Sequence, residues 1–441
     1  MKVAVVGSGI SGLAAVHTLR SAAEITLYEA GSYFGGHTHT VDVTMATPQG
    51  DITHGVDTGF LVFNDRTYPD LIQLFSNLNV STAKSEMSFS VQSQNPKNGR
   101  RLEWSGTSLN ALFAQRSNLI SWRFWLMLRD ILRFNRLCSQ IAGQDTEGAM
   151  RQTVGDFLKD NRFSDEFCDG YFLPMAACIW SCPTAQMLEF PMATMIRFCH
   201  NHGLLQITNR PQWWTVQGGA KHYVEKIVST VTDKRLNTPV RLIERLGPGL
   251  SGQSSPRVRI STDHTQEYFD AVIIATHSDE ALALLEEPTQ LERTLLGAVK
   301  YHGNRAVLHT DVSVLPTCKA AWAAWNYERA VADKSETAAP AVCLHYLINR
   351  LQPLPWSQPV VVSLNPLRSI PEQHVLGQFE YSHPVFDSAA IKAQRQIPWL
   401  QGQRNTYYCG AWMGYGFHED GLKAGQLAAT QLLNHQGQAA P

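Results

Sequence analysis

The chain has 441 residues, a formal net charge of -1, 44% apolar residues and 17% charged residues. That is two or three domains' worth of chain with ample core material, which excludes extensive disorder. The balanced charge gives no electrostatic reason for a nucleic-acid partner. Arginines interrupt the most hydrophobic helical candidates, so no apolar run is long enough to span a bilayer.

Val3-Ala4-Val5-Val6 reads as a structural strand rather than the longer apolar core of a secretory leader, and a cytoplasmic location is expected. The eight cysteines contain no CxxC pair and are expected to be free thiols. Gly7-Ser8-Gly9-Ile10-Ser11-Gly12 follows the strand, then a helix over 13–20 and a second strand over 25–28, closed by Glu29. Strand, glycine turn, helix, strand and acid make the first unit of a dinucleotide fold. Gly7 permits the tight turn, Gly9 leaves room for a pyrophosphate, and Gly12 lets the helix lie close to the sheet. The helix N-terminus offers free amides to the phosphates. Glu29, 22 residues after Gly7, is placed to accept hydrogen bonds from ribose hydroxyls and to repel a ribose phosphate. These residues leave NAD and FAD open.

Residues 31–65 read as loops with short strands, and 68–78 as an amphipathic helix. Alternation over 85–105 predicts a hairpin turning near Asn95-Pro96-Lys97-Asn98-Gly99. Residues 108–200 are helical in pattern. Beyond Gly218-Gly219 come a helix over 221–231, strands near 239–245 and 257–262, and the apolar run Ala271-Val272-Ile273-Ile274-Ala275-Thr276. That run suits a buried parallel strand. Residues 304–382 are β-rich, 406–410 form a strand, 421–433 a helix, and the end frays from about 434. There are no internal repeats and no second strand–GxGxxG–helix unit, which argues against a separate nicotinamide domain.

Glu29-Ala30-Gly31-Ser32-Tyr33-Phe34-Gly35-Gly36-His37 resembles the continuation of the dinucleotide motif in flavin amine oxidases, protoporphyrinogen oxidases and phytoene desaturases. Gly410-Ala411 through Gly421-Leu422-Lys423-Ala424-Gly425 resembles that superfamily's closing FAD motif, and Gly218-Gly219 and Ala275-Thr276 fall in matching places. Further marks resemble a bacterial group of NAD/FAD-binding flavoproteins linked to fatty-acyl modification: His37-Thr38-His39-Thr40, Val56-Asp57-Thr58-Gly59-Phe60, Ala321-Trp322, Trp325-Asn326-Tyr327 and Gly416-Phe417-His418-Glu419-Asp420. Tyr33 and His37 replace the arginines of the superfamily pattern, and Ala411 replaces an acid.

The resemblance implies an α/β (α+β overall) protein. It has a Rossmann-like FAD-binding domain of the glutathione-reductase/amine-oxidase type, from 1–67, 212–285 and 396–441. A mixed sheet-and-helix substrate domain comes from 68–211 and 286–395. It implies non-covalent FAD contacted by Gly7, Gly9, Ile10, Ser11, Gly12, Glu29, Ala30, Gly35, Gly36, His37, Thr38, Asp57, Gly59, Val240, Ala275, Thr276, Gly410, Ala411, Asp420, Gly421 and Leu422. No metal is expected. The implied reaction is hydride removal from a hydrophobic substrate, a lipid acyl chain before a small amine. A non-catalytic flavoprotein partnering a lipid-modifying methyltransferase is the remaining reading.

His418, with Glu419 and Asp420, is the catalytic candidate, since histidine titrates near neutral pH and can move a proton beside hydride transfer. Capping of the following helix competes with that role. Lys300 is a weaker candidate for the flavin-side lysine of amine oxidases. In Cys199-His200-Asn201-His202 a buried, satisfied histidine is expected beside a core thiol. The aromatic and arginine-rich stretch 118–136 fits either a peripheral helix at a lipid headgroup layer or a core helix. The expected partner is a hydrophobic small molecule or phospholipid.

Overall fold

A computed structural model describes residues 1–94, 101–142, 152–206, 210–247, 257–329 and 342–438. Strand β1 (Lys2–Val6), helix α1 (Ile10–Leu19) and strand β2 (Glu24–Tyr28) form the expected unit. β1 pairs in parallel with β2 on one side and with Ala271–Ile274 on the other. Asp233–Arg235 and Thr406–Tyr408 extend the sheet to five strands drawn from distant parts of the chain.

Alternation explains why these strands read as continuous apolar runs. Val3, Val5, Ala271 and Ile273 pack under α1 and the last helix, His418–Gln438. Ala4, Val6, Val272 and Ile274 face a three-stranded antiparallel layer, Val240–Arg245, Val258–Thr262 and Gln266–Phe269. A sheet buried on both faces needs apolar residues at every position.

The second body is a seven-stranded sheet. Its order is Val375–Val385, Lys300–His309, Val361–Leu364, Cys343–Leu347, Trp325–Glu328, Phe89–Gln94 and Arg101–Ser105. One face packs on helices including Trp122–Ala142, Leu173–Trp180 and Met192–Asn201, with Phe134, Phe167 and Phe172 at the centre of the aromatic core.

Several expectations change. Residues 31–65 contain a long hairpin, Thr40–Thr47 with Gly50–Asp57, paired antiparallel along eight positions. The 89–105 hairpin forms, and its turn lies outside the described residues. The helix expected over 221–231 ends at Val228. The last helix starts at His418, three residues before its expected start, and continues to Gln438 instead of fraying from 434. It lies tightly on α1: a Cβ on Gly425 would meet Ser11 O at 2.0 Å. No helix among the described residues is long and apolar enough to cross a membrane.

Candidate functional site

The glycine turn after β1 is shaped by contact and charge. Gly7 has φ +100°, and a Cβ there would sit 2.9 Å from Ala275 O. A Cβ on Gly12 would approach Gly7 O to 1.9 Å, whereas one on Gly9 meets nothing within 4 Å. Gly7 and Gly12 are therefore fixed by the protein's own packing, whereas at Gly9 there is open space. Glu29 Oε2 accepts from Ser8 N (3.0 Å) and Ser8 Oγ (2.5 Å), and Oε1 accepts from Gly31 N (2.8 Å). Ser8 Oγ in turn accepts from Gly35 N (3.1 Å), so one carboxylate braces both glycine loops. Gly36 comes so close that its Cβ would lie 3.1 Å from Gly9 Cα.

These groups open on one cavity of 1310 Å³. Of the expected site residues, Gly7, Gly9, Ile10, Ser11, Glu29, Ala30, Gly36, His37, Gly59, Val240, Ala275, Thr276, Gly410, Ala411 and the catalytic candidate His418 line it. Gly12, Gly35, Thr38, Asp57, Glu419, Asp420, Gly421 and Leu422 do not.

Most of these exceptions have a local reason. Gly35 has φ +128° and backs onto Thr38 O. Gly421 fits against Ile10 and Ser11, and Leu422 is fully buried in the core under the parallel sheet. Asp57 is buried behind the wall. It accepts from Ala220 N (2.9 Å), Thr40 Oγ1 (2.5 Å) and Gln352 Nε2 (2.8 Å), which fixes the turn entering the helix Lys221–Val228. Burial pushes its carboxyl up to about 7.

The catalytic candidates separate in the same way. Glu419 turns both oxygens to Asp70 N (3.1 Å) and Leu71 N (3.0 Å), capping the helix Pro69–Asn77, and pairs with Lys423. Asp420 accepts from Phe417 N (3.0 Å) and caps its own helix. His418 does line the cavity. Its ring stacks on Phe60 at 3.6 Å, and Nε2 bonds Thr38 Oγ1 (2.9 Å) and Tyr223 OH (3.2 Å). Desolvation, and then His37, depress its pKa to about 3, so the ring is neutral. It is a fixed aromatic wall with a neutral edge. Lys300 is at the surface, its side chain 75% exposed and 3.9 Å from Asp387. It does not line the cavity.

Histidines beyond the sequence motifs gather beside the turn. His37 lies 5.2 Å from His383 and 6.3 Å from His277, ring to ring. His37 Nε2 is buried with no hydrogen-bond partner among the described residues. Desolvation lowers His37 to about 4 and His383 to about 3. His383 carried no local signal, since pairing with the strand Lys300–His309 brings it there, whereas His277 directly follows the Ala275-Thr276 segment. His202 also lines the cavity, with Nδ1 at 3.0 Å from Phe198 O, stacked on that ring. Desolvation lowers it to about 4.

The remote end of the cavity is apolar, walled by Met87, Phe89, Trp104, Met175, Ile179, Leu204, Trp325 and Tyr346. The cavity exceeds the ~300–1,000 Å³ of a single-ligand pocket, so it has room for a cofactor and a substrate end to end. The open space at Gly9, the orphaned Nε2 of His37 and the amides of α1 fit a dinucleotide.

Residues 5–78 match the NAD(P)-binding Rossmann-like domain family. No curated protein matches by sequence. Solved structures match over the whole chain. A CLA-producing fatty acid isomerase from P. acnes is 14% identical with TM-score 0.64, over 97% of this chain and 98% of that one. Cyclohexylamine oxidase from Brevibacterium oxydans IH-35A is 16% identical with TM-score 0.64, over 99% of both. A putative protoporphyrinogen oxidase from Exiguobacterium sp. 255-15 is 15% identical with TM-score 0.63, over 98% of this chain and 99% of that one. The fold is of the amine-oxidase type. At these identities the likeness concerns architecture, and it matches a Rossmann-like body joined to a multi-sheet one.

Proposed function

We propose that the protein is an FAD-dependent oxidoreductase that binds its flavin non-covalently and removes hydride from a hydrophobic substrate of the lipid acyl class. The observation that carries this reading is one continuous cavity, with a dinucleotide cradle at one end and apolar walls at the other. FAD, when bound, supplies a two-electron acceptor for a substrate C–H.

The chain's own residues bind, orient and exclude water. Glu29 and the α1 amides hold the dinucleotide end. His418 and Phe60 form a rigid stacked wall, and the neutral His37–His383 pair offers hydrogen bonds without charge. Met87, Phe89, Met175 and Ile179 take an alkyl chain. Of the charges nearby, Glu86 is neutralised by Arg350 at 2.7 Å, while Arg210 lies exposed on the lining, suited to a carboxylate or phosphate head. A small amine finds no free anion at that end among the described residues, and Lys300 faces solvent. The fatty acid isomerase of like fold gives a precedent for acyl substrates.

The same reading gives the helix Trp122–Ala142 a place at a lipid surface. Its inner face, Phe124 and Met127, is core, while Trp122 is 68% exposed beside Trp125 and Arg123, and Ile120, just before the helix, is 89% exposed. Trp104, on the cavity wall, packs on Phe124 beneath this patch. Apolar rings among arginines suit the headgroup boundary.

Anaerobic titration of the purified flavoprotein tests the proposal. Bleaching of the flavin band by fatty acids or phospholipid vesicles, and not by an amine panel, is expected. Bleaching by amines alone overturns the substrate class, and a folded protein that takes up no flavin overturns the whole reading. Trp122→Ser with Trp125→Ser is expected to reduce sedimentation with anionic vesicles, leaving reduction by detergent-dispersed lipid intact.

A further inference from the structure

On the face of the seven-stranded sheet away from the cavity lies a second chemical cluster. Cys343 and His345 are two apart on one strand, so both project to one face, while Leu344 and Tyr346 project to the core and cavity. Glu328, directly opposite Cys343 on the neighbouring strand, completes the group. His345 Nε2 lies 3.0 Å from Glu328 Oε2 and 3.5 Å from Cys343 Sγ, and Sγ lies 4.0 Å from that oxygen. Cys343 and His345 are buried, and Glu328 is partly exposed.

We propose that Glu328, Cys343 and His345 form a binding site for a thiophilic divalent cation of the zinc class, its fourth position left to water. Zinc–ligand bonds of ~2.0–2.3 Å at tetrahedral angles place donor atoms about 3.3–3.6 Å apart, and the three separations scatter within about half an ångström of that. A thiolate and a carboxylate with a neutral imidazole balance a divalent charge, and the thiolate selects zinc over magnesium or calcium. On binding, the Cys343 thiol proton leaves to solvent and the His345 proton resides on Nδ1. Ser363 Oγ, 2.7 Å from that nitrogen, orients the ring, and His309 Nε2, 2.7 Å from the same hydroxyl, orients the serine. Such outer partners set the ligand's tautomer and position. The ion joins the strand Trp325–Glu328 to Cys343–Leu347, and Trp325 and Tyr346 on the opposite face are cavity wall. It is a staple behind the substrate end, separate from hydride chemistry.

The test uses the purified flavoprotein after chelation and desalting, titrated calorimetrically with Zn²⁺ alone. One equivalent is expected, with Cys343→Ser and His345→Gln each weakening binding by at least about tenfold, and Ser363→Ala by about 10–100-fold. Cd²⁺ titration of the unmodified protein is expected to raise an ultraviolet thiolate-to-metal charge-transfer band. Failure of the folded wild type to take up Zn²⁺, absence of that band, or wild-type affinity in both ligand variants overturns the site. None of these readouts depends on flavin turnover.

Discussion

Replacing Gly9 by alanine separates the two roles that glycines play in the β1–α1 turn. Gly9 has φ -63° and ψ 176°, a conformation alanine adopts without strain, and an added Cβ meets no protein atom within 4 Å. Folding stability is therefore expected to hold or to rise by ~0.4–1 kcal/mol through the unfolded chain's lost freedom. The methyl projects from a residue that lines the cavity, where the cofactor's pyrophosphate is proposed to lie. Overpacking a tight contact costs ~1–3 kcal/mol. At about 1.4 kcal/mol per tenfold, FAD affinity falls roughly 5- to 150-fold. Thermal melts of the flavin-free protein and a fluorescence titration with FAD measure the two effects separately. Gly7→Ala and Gly12→Ala, which clash with Ala275 O and Gly7 O, are expected to lower the melting point of the flavin-free protein as well. Wild-type FAD affinity in Gly9→Ala, or a destabilised flavin-free variant, refutes the assignment of this turn to the cofactor.

Gly425→Ala forces a methyl to within 2.0 Å of Ser11 O, and a loss of ~1–3 kcal/mol is expected in denaturant melts. Glu419→Ala removes the cap from the amides of Asp70 and Leu71 and is expected to cost ~0.5–2 kcal/mol, with the anaerobic reduction rate per bound flavin unchanged. A collapse of that rate at full occupancy returns Glu419 to the chemistry. The Asp57 carboxyl is pushed up to about 7 in the fold, because burial penalises its charge, from an ordinary value of 3.8. The folded state thus holds the proton more tightly. Its contribution is complete below about 3.8 and is lost as pH rises to about 7, on the order of 4 kcal/mol. Urea melts across that window are expected to show a downward slope in the wild type that Asp57→Asn lacks, and parallel slopes contradict it.

The sequence alone was sufficient for the β1–α1–β2 unit, because each part of its signal is local. Apolar runs mark strands buried on both faces, glycines mark a turn without room for side chains, and Glu29 ends the second strand. The buried strand at 271–274 was legible for the same reason. Motif position was a poorer guide to side-chain direction. Asp57, Glu419, Asp420 and Gly421 stand within motif segments, yet they cap helices or fit one helix against another. Helix periodicity places a residue on a face only once the neighbouring helix is known. Strand order, the burial of His37 Nε2 among distant histidines and the exposure of Lys300 came only from the tertiary structure. So did the meeting of Glu328, Cys343 and His345. Local sequence carries backbone preference and hydrophobic period, whereas a site is a set of distances between side chains that only the packed sheets and helices define.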